Sequence, residues 1–260
     1  MSSWIIRRNV APKKKKSIVN YYDMSISPDI GSLYLNYLSA YIYSQKMGES
    51  CIVWDSTSVL EKTLRQPIQV KFLKEIPEES SAISMDAFKQ VIAPLKFKEL
   101  QKFAADIIFY DAGFNRAVID RIQKAGIKNM FDIGIHLVKD IAGPNLVEHK
   151  MYSDILKEYQ KKTKLPGLSI YVMADNYNLI TQFQTYCDPS WKITSLSKIN
   201  PLTADDAFIQ QMADIQIMNA LPALALDFSR SADRLIYLMQ RYNGGLTFFK
   251  EVKDTQWNLI

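Results

Sequence analysis

The residues best suited to chemistry lie in the second half of the chain, and each closes or follows an apolar run. His136 ends the run Ile133-Gly134-Ile135-His136 and is followed by Leu137-Val138-Lys139-Asp140. An imidazole at a strand end can trade a proton near neutral pH or hydrogen-bond a ligand; it equally suits a satisfied buried residue. Tyr171-Val172-Met173-Ala174-Asp175-Asn176 delivers an acid, Asp175, to the end of a second run. An acid there serves a ligand or caps the next helix. The third segment spans Asp214 to Arg234 and contains Phe228-Ser229-Arg230-Ser231, which reads as a strand-to-helix junction. Backbone N–H groups at a helix start, with hydroxyls and a guanidinium, suit a phosphate. Arg230 also has a plainer reading, as a surface residue at the start of a helix.

Other chemistries lack their residues. The chain has no Walker loop, HExxH, GxSxG or GxGxxG, and holds nine glycines in all. His136 and His149 are its two histidines, so hydrolase triads are hard to build and no metal ligand set is expected. His149 falls in a polar stretch and reads as exposed. Cys51 and Cys187 lie far apart without CxxC spacing, which reads as two free thiols.

The elements that must position these residues alternate between short β-rich and longer helical runs, the pattern of an α/β fold with mainly parallel sheets. Strands are predicted over 17–23, 51–54, 70–73 and 106–110, with turns over 27–32 and 77–81. Helices are predicted over 33–47, over 85–103 around a break at Pro94, and over 115–125, closed by Gly126. The second half continues with strands over 130–137, 168–174, 191–195, 223–226 and 246–249. Its helices are predicted over 151–162, 178–186, 204–219 and 231–242. Such a wound unit binds ligands at the carboxyl ends of its strands.

At 260 residues with 48% apolar content, the chain can bury a large core. It has no apolar run of about 18 residues. The net charge of +5 is local: Arg7, Arg8 and Lys13 to Lys16 lie in the first 16 residues. With those six set aside, the 32 basic residues fall to 26 against 27 acidic ones, a net of −1. The division expected is a basic flexible tail over 1–16, a Rossmann-like lobe over 17–129 and a second over 130–260. The tail reads either as a solvated leader or as a tether for an acidic partner or surface. Its basic residues follow Trp4-Ile5-Ile6 rather than precede a long apolar core, so it does not read as a signal peptide. The expected address is cytoplasmic or virion-associated.

Taken in order, these segments resemble the α1,6-fucosyltransferase and protein O-fucosyltransferase superfamily. Ile133-Gly134-Ile135-His136 is similar to the strand leading into its HxRR motif, and Tyr171 to Asn176 to its Y-[VL]-A-T-D-D strand. Asp214-Ile215-Gln216, Phe228-Ser229-Arg230-Ser231 and Arg234-Leu235-Ile236-Tyr237 resemble its D-I-H…F-S-S-[NQ]…R-[VL]-x-Y run. The likeness covers residues 130–243; more loosely, Asp29-Ile30-Gly31-Ser32 resembles the opening G-x-G-[NC]-Q segment. It implies a GT-B fold of two Rossmann-like lobes, no metal and no cofactor beyond a GDP-sugar donor. By the same resemblance His136 and Asp214 contact the base and ribose, Ser229 and Ser231 fall in the phosphate-binding run, and Asp175 is the more structural first acid of D-D.

The departures fall on charge. The first arginine of HxRR is Val138 here and the second is Lys139; Arg230 and Ser231 replace Ser and Asn or Gln, and Asp29 stands where a glycine is usual. A guanidinium that stabilises the leaving diphosphate is worth several kcal/mol. Arg230, with Lys139, is the candidate to supply the missing catalytic charge. Two readings follow. One is inverting, metal-independent transfer of a sugar, fucose by resemblance, from a GDP-sugar to a glycan hydroxyl, with a base from the first lobe. The other is an inactive glycosyltransferase fold serving as a binding or structural component, including one of a viral assembly.

Overall fold

The computed structural model describes residues 19–260 except 26, 28, 66, 68, 128, 129, 139–145, 200, 202, 241–244, 254, 255 and 260. The basic tail over 1–16 and Lys139 therefore lie outside the described residues. Nine strands, nine α-helices and one short 3-10 helix (Leu196–Lys198) are defined among the described residues. The chain runs β1 (Val19–Asp23), α1 (Ile30–Met47), β2 (Cys51–Trp54), α2 (Val59–Thr63), β3 (Val70–Leu73) and β4 (Ser80–Ala82). It continues through α3 (Met85–Ile92), α4 (Phe97–Ile107), α5 (Ala112–Lys124), β5 (Ile133–Leu137) and α6 (Leu146–Thr163). Then come β6 (Ser169–Ala174), α7 (Tyr177–Gln184), β7 (Lys192–Thr194) and α8 (Ala204–Asn219). β8 (Ala223–Leu226), α9 (Ser231–Met239) and β9 (Phe248–Glu251) complete it.

The strands form two sheets, β3-β2-β1-β4 and β7-β6-β5-β8-β9, and every strand pair in them is parallel. This is the α/β architecture with two mainly parallel sheets that the alternation predicts. β5 and β8 are buried along their whole length, which explains sequences as apolar as Ile-Gly-Ile-His-Leu and Ala-Leu-Ala-Leu. In the second sheet the chain steps outward from β5 to β6 and β7, then returns to the far side of β5 with β8. The strand order thus reverses between β5 and β8, where a wound sheet opens a crevice.

Several elements differ from the sequence reading. Residues 106 and 107 end α4 rather than begin a strand, and Tyr110 makes a lone antiparallel bridge to Leu64. The predicted turn at 77–81 runs into β4, a three-residue edge strand. α1 starts at Ile30, three residues early, because Asp29 caps it: its carboxylate accepts the Ser32 N–H at 2.9 Å. α6 begins before 151 and carries His149 into the interior, 1% exposed, against the rings of Phe183 and Tyr186. Burial pushes the pKa of that imidazole down.

α1 is buried on nearly every face, from Ile30 to Ser44. A helix apolar all round belongs inside a protein, and its tyrosines and serines need partners there. Tyr34 shares a hydrogen bond with Thr63 at 2.9 Å, while Ser39 and Ser44 donate back to Leu35 O and Tyr41 O. One apolar core joins Tyr22, Leu38 and Val53 of the first half to Leu224, Leu235 and Ile236 of the second. A second core lies under the other face of the second sheet, around Ile135, Tyr152 and Phe183.

α1 packs directly on α9 at Gly31. A methyl group at Gly31 would overlap Ala232 N and lie 2.5 Å from the Ser231 carbonyl carbon. Backbone cannot step aside as a side chain end can. Gly31→Ala should therefore destabilise the protein by about 3 kcal/mol, read as a lowered midpoint in urea unfolding.

Candidate functional site: a strand-end pocket beside a neutralised charge cluster

A hollow of about 440 Å³ opens at the carboxyl ends of β5 and β6, and α8 forms its far wall. His136 supplies one side, Asp175 and Asn176 the rim, and Phe208, Gln211 and Asp214 the α8 face. Its remaining lining is Met173, Ala174, Ser197, Ile199, Pro201, Ala204, Ala207 and Gln210, so no lysine or arginine lines it among the described residues. Three polar side chains singled out in the sequence, His136, Asp175 and Asp214, are thus brought together.

His136 and Asp214 are fixed from behind. Tyr171, on β6, donates to Asp214 Oδ1 at 2.5 Å. Burial raises the Asp214 pKa to about 7, although the Tyr171 hydrogen bond and His136 act to lower it. His136 Nδ1 lies 2.5 Å from Asp233 Oδ1 on α9. Burial opposes charge on that imidazole, but the Asp233 carboxylate outweighs it and raises the pKa. Asn176 caps α7 by accepting the Leu179 N–H, so the residue beside Asp175, not Asp175 itself, is the helix cap.

The phosphate-type turn after β8 lies on the other side of β5, and its polar groups are engaged with the protein. Arg230 donates from Nη1 to His136 O at 3.0 Å and pairs through Nη2 with Glu148 Oε1 at 2.5 Å. Its Nε lies 3.4 Å from Asp227 Oδ2. Lys253 reaches the same oxygen at 2.7 Å. Asp227 is fully buried; burial works to raise its pKa, but Lys253 and Ser229 prevail and hold it below the usual carboxylate range. Ser229 gives both its N–H and its hydroxyl to Asp227 Oδ1, at 3.0 and 2.6 Å. Ser231 donates its hydroxyl to Asp29 Oδ1 at 2.5 Å. The second Asp233 oxygen accepts the Asp227 N–H at 2.8 Å. Arg230 and Lys253 are therefore matched by Asp227 and Glu148, and Asp233 holds the His136 imidazole.

Of the residues predicted for the site, His136 and Asp214 line the hollow. Ser229, Arg230 and Ser231 are not among its lining residues, and Lys139 lies outside those described. Sequence reasoning missed Glu148, Asp227 and Asp233. Asp227 and Asp233 each lie two residues outside the Ser-Arg-Ser turn, and that flanking pair is the available signal. Among the described residues, no group of three His, Cys, Asp or Glu side chains is placed to hold a metal ion.

A second hollow, of about 220 Å³, lies where the strand ends of the first sheet meet α8. It is lined by Met24, Ser25, Ser27, Asp29, Ile30, Leu33, Thr57 and Val59, with Phe208 and Gln211 shared between the two hollows.

No family model and no curated protein sequence matches this chain. Solved structures do match in fold. NodZ α-1,6-fucosyltransferase of Bradyrhizobium, in crystals soaked with GDP-fucose, is 10% identical over 85% of this chain and 91% of that one, with a TM-score of 0.55. A mutant of Arabidopsis thaliana FUT1 in complex with GDP is 10% identical over 87% of this chain and 69% of that one, with a TM-score of 0.59. POFUT1 in complex with GDP is 8% identical over 91% and 98%, with a TM-score of 0.54. The chain shares the two-sheet fold of these fucosyltransferase structures.

The raised Asp214 pKa has a consequence for stability. The folded carboxyl keeps its proton to about pH 7, whereas an unperturbed one releases it near 3.8. Between those values the folded state binds more protons than the unfolded, so this residue's contribution falls as pH rises through the window. Asp214→Asn keeps an acceptor for Tyr171 and has no proton to lose. Relative to the parent it should gain about 2–4 kcal/mol between pH 4 and pH 8, measured by urea unfolding at both pH values.

Proposed function

We propose that this chain, folded as the fucosyltransferases are, recognises the nucleoside end of a GDP-sugar and serves as a glycosyltransferase-like binding component rather than a fast transferase. One observation carries the reading. The hollow offers two carboxyl groups and an imidazole, while Arg230 and Lys253, beside the Phe228–Ser231 turn, are already paired with Asp227 and Glu148.

The chemistry of the lining favours donors over anions. A carboxylate such as Asp175 or Asp214 accepts hydrogen bonds from ribose hydroxyls or from the N1–H and amino group of a guanine. Phe208, Met173 and Pro201 give the apolar surface that a base covers. A diphosphate needs the opposite: free cationic or N–H donors where its charge grows on departure. Arg230 would have to leave Glu148 and Asp227 to serve one, taking from Glu148, which is almost fully buried, its cationic partner. Lobes divided near residue 130, with the 1–16 tail docking an acidic partner or surface, belong to the same proposal. So does an address in the cytoplasm or a virus particle; among the described residues no helix is long and apolar enough to cross a membrane.

The rival reading is inverting transfer of a sugar, fucose by resemblance, from its GDP carrier to a glycan hydroxyl. It needs Arg230, with or without Lys139, on the diphosphate. Calorimetric titration with guanosine, GDP and GDP-fucose separates the two. The expected result is binding of guanosine and GDP within about 3-fold of one another. Both should weaken in His136→Ala, and no GDP should be released from GDP-fucose in the presence of glycan acceptors. GDP binding about 100-fold tighter than guanosine, a difference of about 2.7 kcal/mol that disappears in Arg230→Ala, would establish the transferase instead.

A further inference from the structure

His136 is the one residue lining the strand-end hollow, among those described, that can carry positive charge. It shares the α8-facing side of β5 with Gly134, where an added methyl group would meet Met218 and Leu221. The ring is 4% exposed, and the acid behind it, Asp233 on α9, is fully buried.

The hydrogen-bond pattern of Asp233 assigns the ring's protons. Its Oδ2 accepts the Asp227 N–H at 2.8 Å, and its Oδ1 lies 2.5 Å from His136 Nδ1. A carboxylate oxygen only accepts, so Nδ1 must be the atom that brings the hydrogen. With Nδ1 committed, Nε2 is the ring nitrogen left for a guest in the hollow, and it has no partner among the described residues. The surroundings of the ring act on its charge from every side. Asp233 favours the cation, as does Asp175 after β6, whereas Arg230 at the start of α9 opposes it. Asp214 faces the ring from α8 and is itself influenced by it. Tyr171 of β6 holds Asp214, and Tyr152 of α6 donates to His136 O at 2.8 Å.

We infer that Asp233 is a positioning residue for the strand-end hollow: it takes the Nδ1 hydrogen of His136 and leaves Nε2 to meet the ligand, as a donor when the ring is charged and as an acceptor when it is neutral. The ligand half of this inference rests on the nucleoside reading. Opposite the charged ring a base must offer an acceptor, a carbonyl oxygen or ring nitrogen, while its own donors meet the carboxyl groups. Loss of the ring proton sets acceptor against acceptor, so affinity falls as pH rises through the titration of His136.

The test uses the full chain and Asp233→Asn. The variant keeps the side chain's size and an acceptor for the Asp227 N–H, but turns an amide donor toward Nδ1. Its neutral ring must then carry the hydrogen on Nε2, a donor with or without charge. Histidine-selective nitrogen NMR reads the ring directly, and the chain has two histidines to resolve. In the parent, Nδ1 should stay protonated while Nε2 gains and loses the second proton. In Asp233→Asn the tautomer should reverse and proton affinity should fall at least about 10-fold, or one unit of midpoint. Guanosine is then titrated by calorimetry about one pH unit below and above the parent's midpoint. Across that span its Kd should rise at least about 5-fold more in the parent than in Asp233→Asn. Asp214 titrates in both proteins, so the difference belongs to the ring. A neutral parent ring without a proton on Nδ1 overturns the inference, as does a folded Asp233→Asn with the parent's tautomer and midpoint. Equal pH dependence of guanosine binding in the two proteins also overturns it. Should Asp233→Asn fail to fold, the parent's ring signals alone decide. Failure of guanosine to bind either form counts against the nucleoside reading, and the ring signals still judge Asp233.

Discussion

The architecture rests on how closely two helices approach. α1 meets α9 backbone to backbone, and only a residue without a Cβ permits it. That contact lets one apolar core run from the first sheet to the second, so the halves share an interior that neither owns. It also fixes where the capping carboxylate of α1 falls relative to the turn after β8. The second hollow, lined from the first half and from α8, is bounded by both of the halves that this packing joins.

Around that frame, electrostatics divides the crevice into two characters. On the β6 side the groups are acceptors, with one carboxyl that holds its proton near neutral pH because it is buried. On the β8 side charge is plentiful but internally balanced. Arg230 spans from α9 to α6 through Glu148 and rests on the carbonyl of His136. In that place it ties three elements together. A buried pair of this kind is expensive to break from either side, which makes the guanidinium a strut of the fold.

The alternation of strands and helices was legible because buried parallel strands must be apolar throughout and their crossover helices must follow. Misreadings occurred where local pattern is ambiguous. Ile107-Ile108-Phe109 is a short apolar run that fits a helix end as well as a strand. Ser80–Ala82 is polar because an edge strand is covered on one side alone, so it resembled a turn. His136 and Asp214 were found because strand ends and resemblance marked them. The acids that face His136 and Arg230 were not: Asp233 lies 97 residues from His136, and Glu148 lies 82 from Arg230. Pairs that distant leave no periodicity, and their complementarity emerges only once the topology brings β5, α6 and α9 to one corner.

Phe208 and Gln211 border both hollows, so the two cavities share part of one wall. A molecule that turns that phenyl ring to fit on one side reshapes the other. Thermodynamic reciprocity then requires the influence to run equally in both directions: whatever factor the first guest imposes on the second, the second imposes on the first.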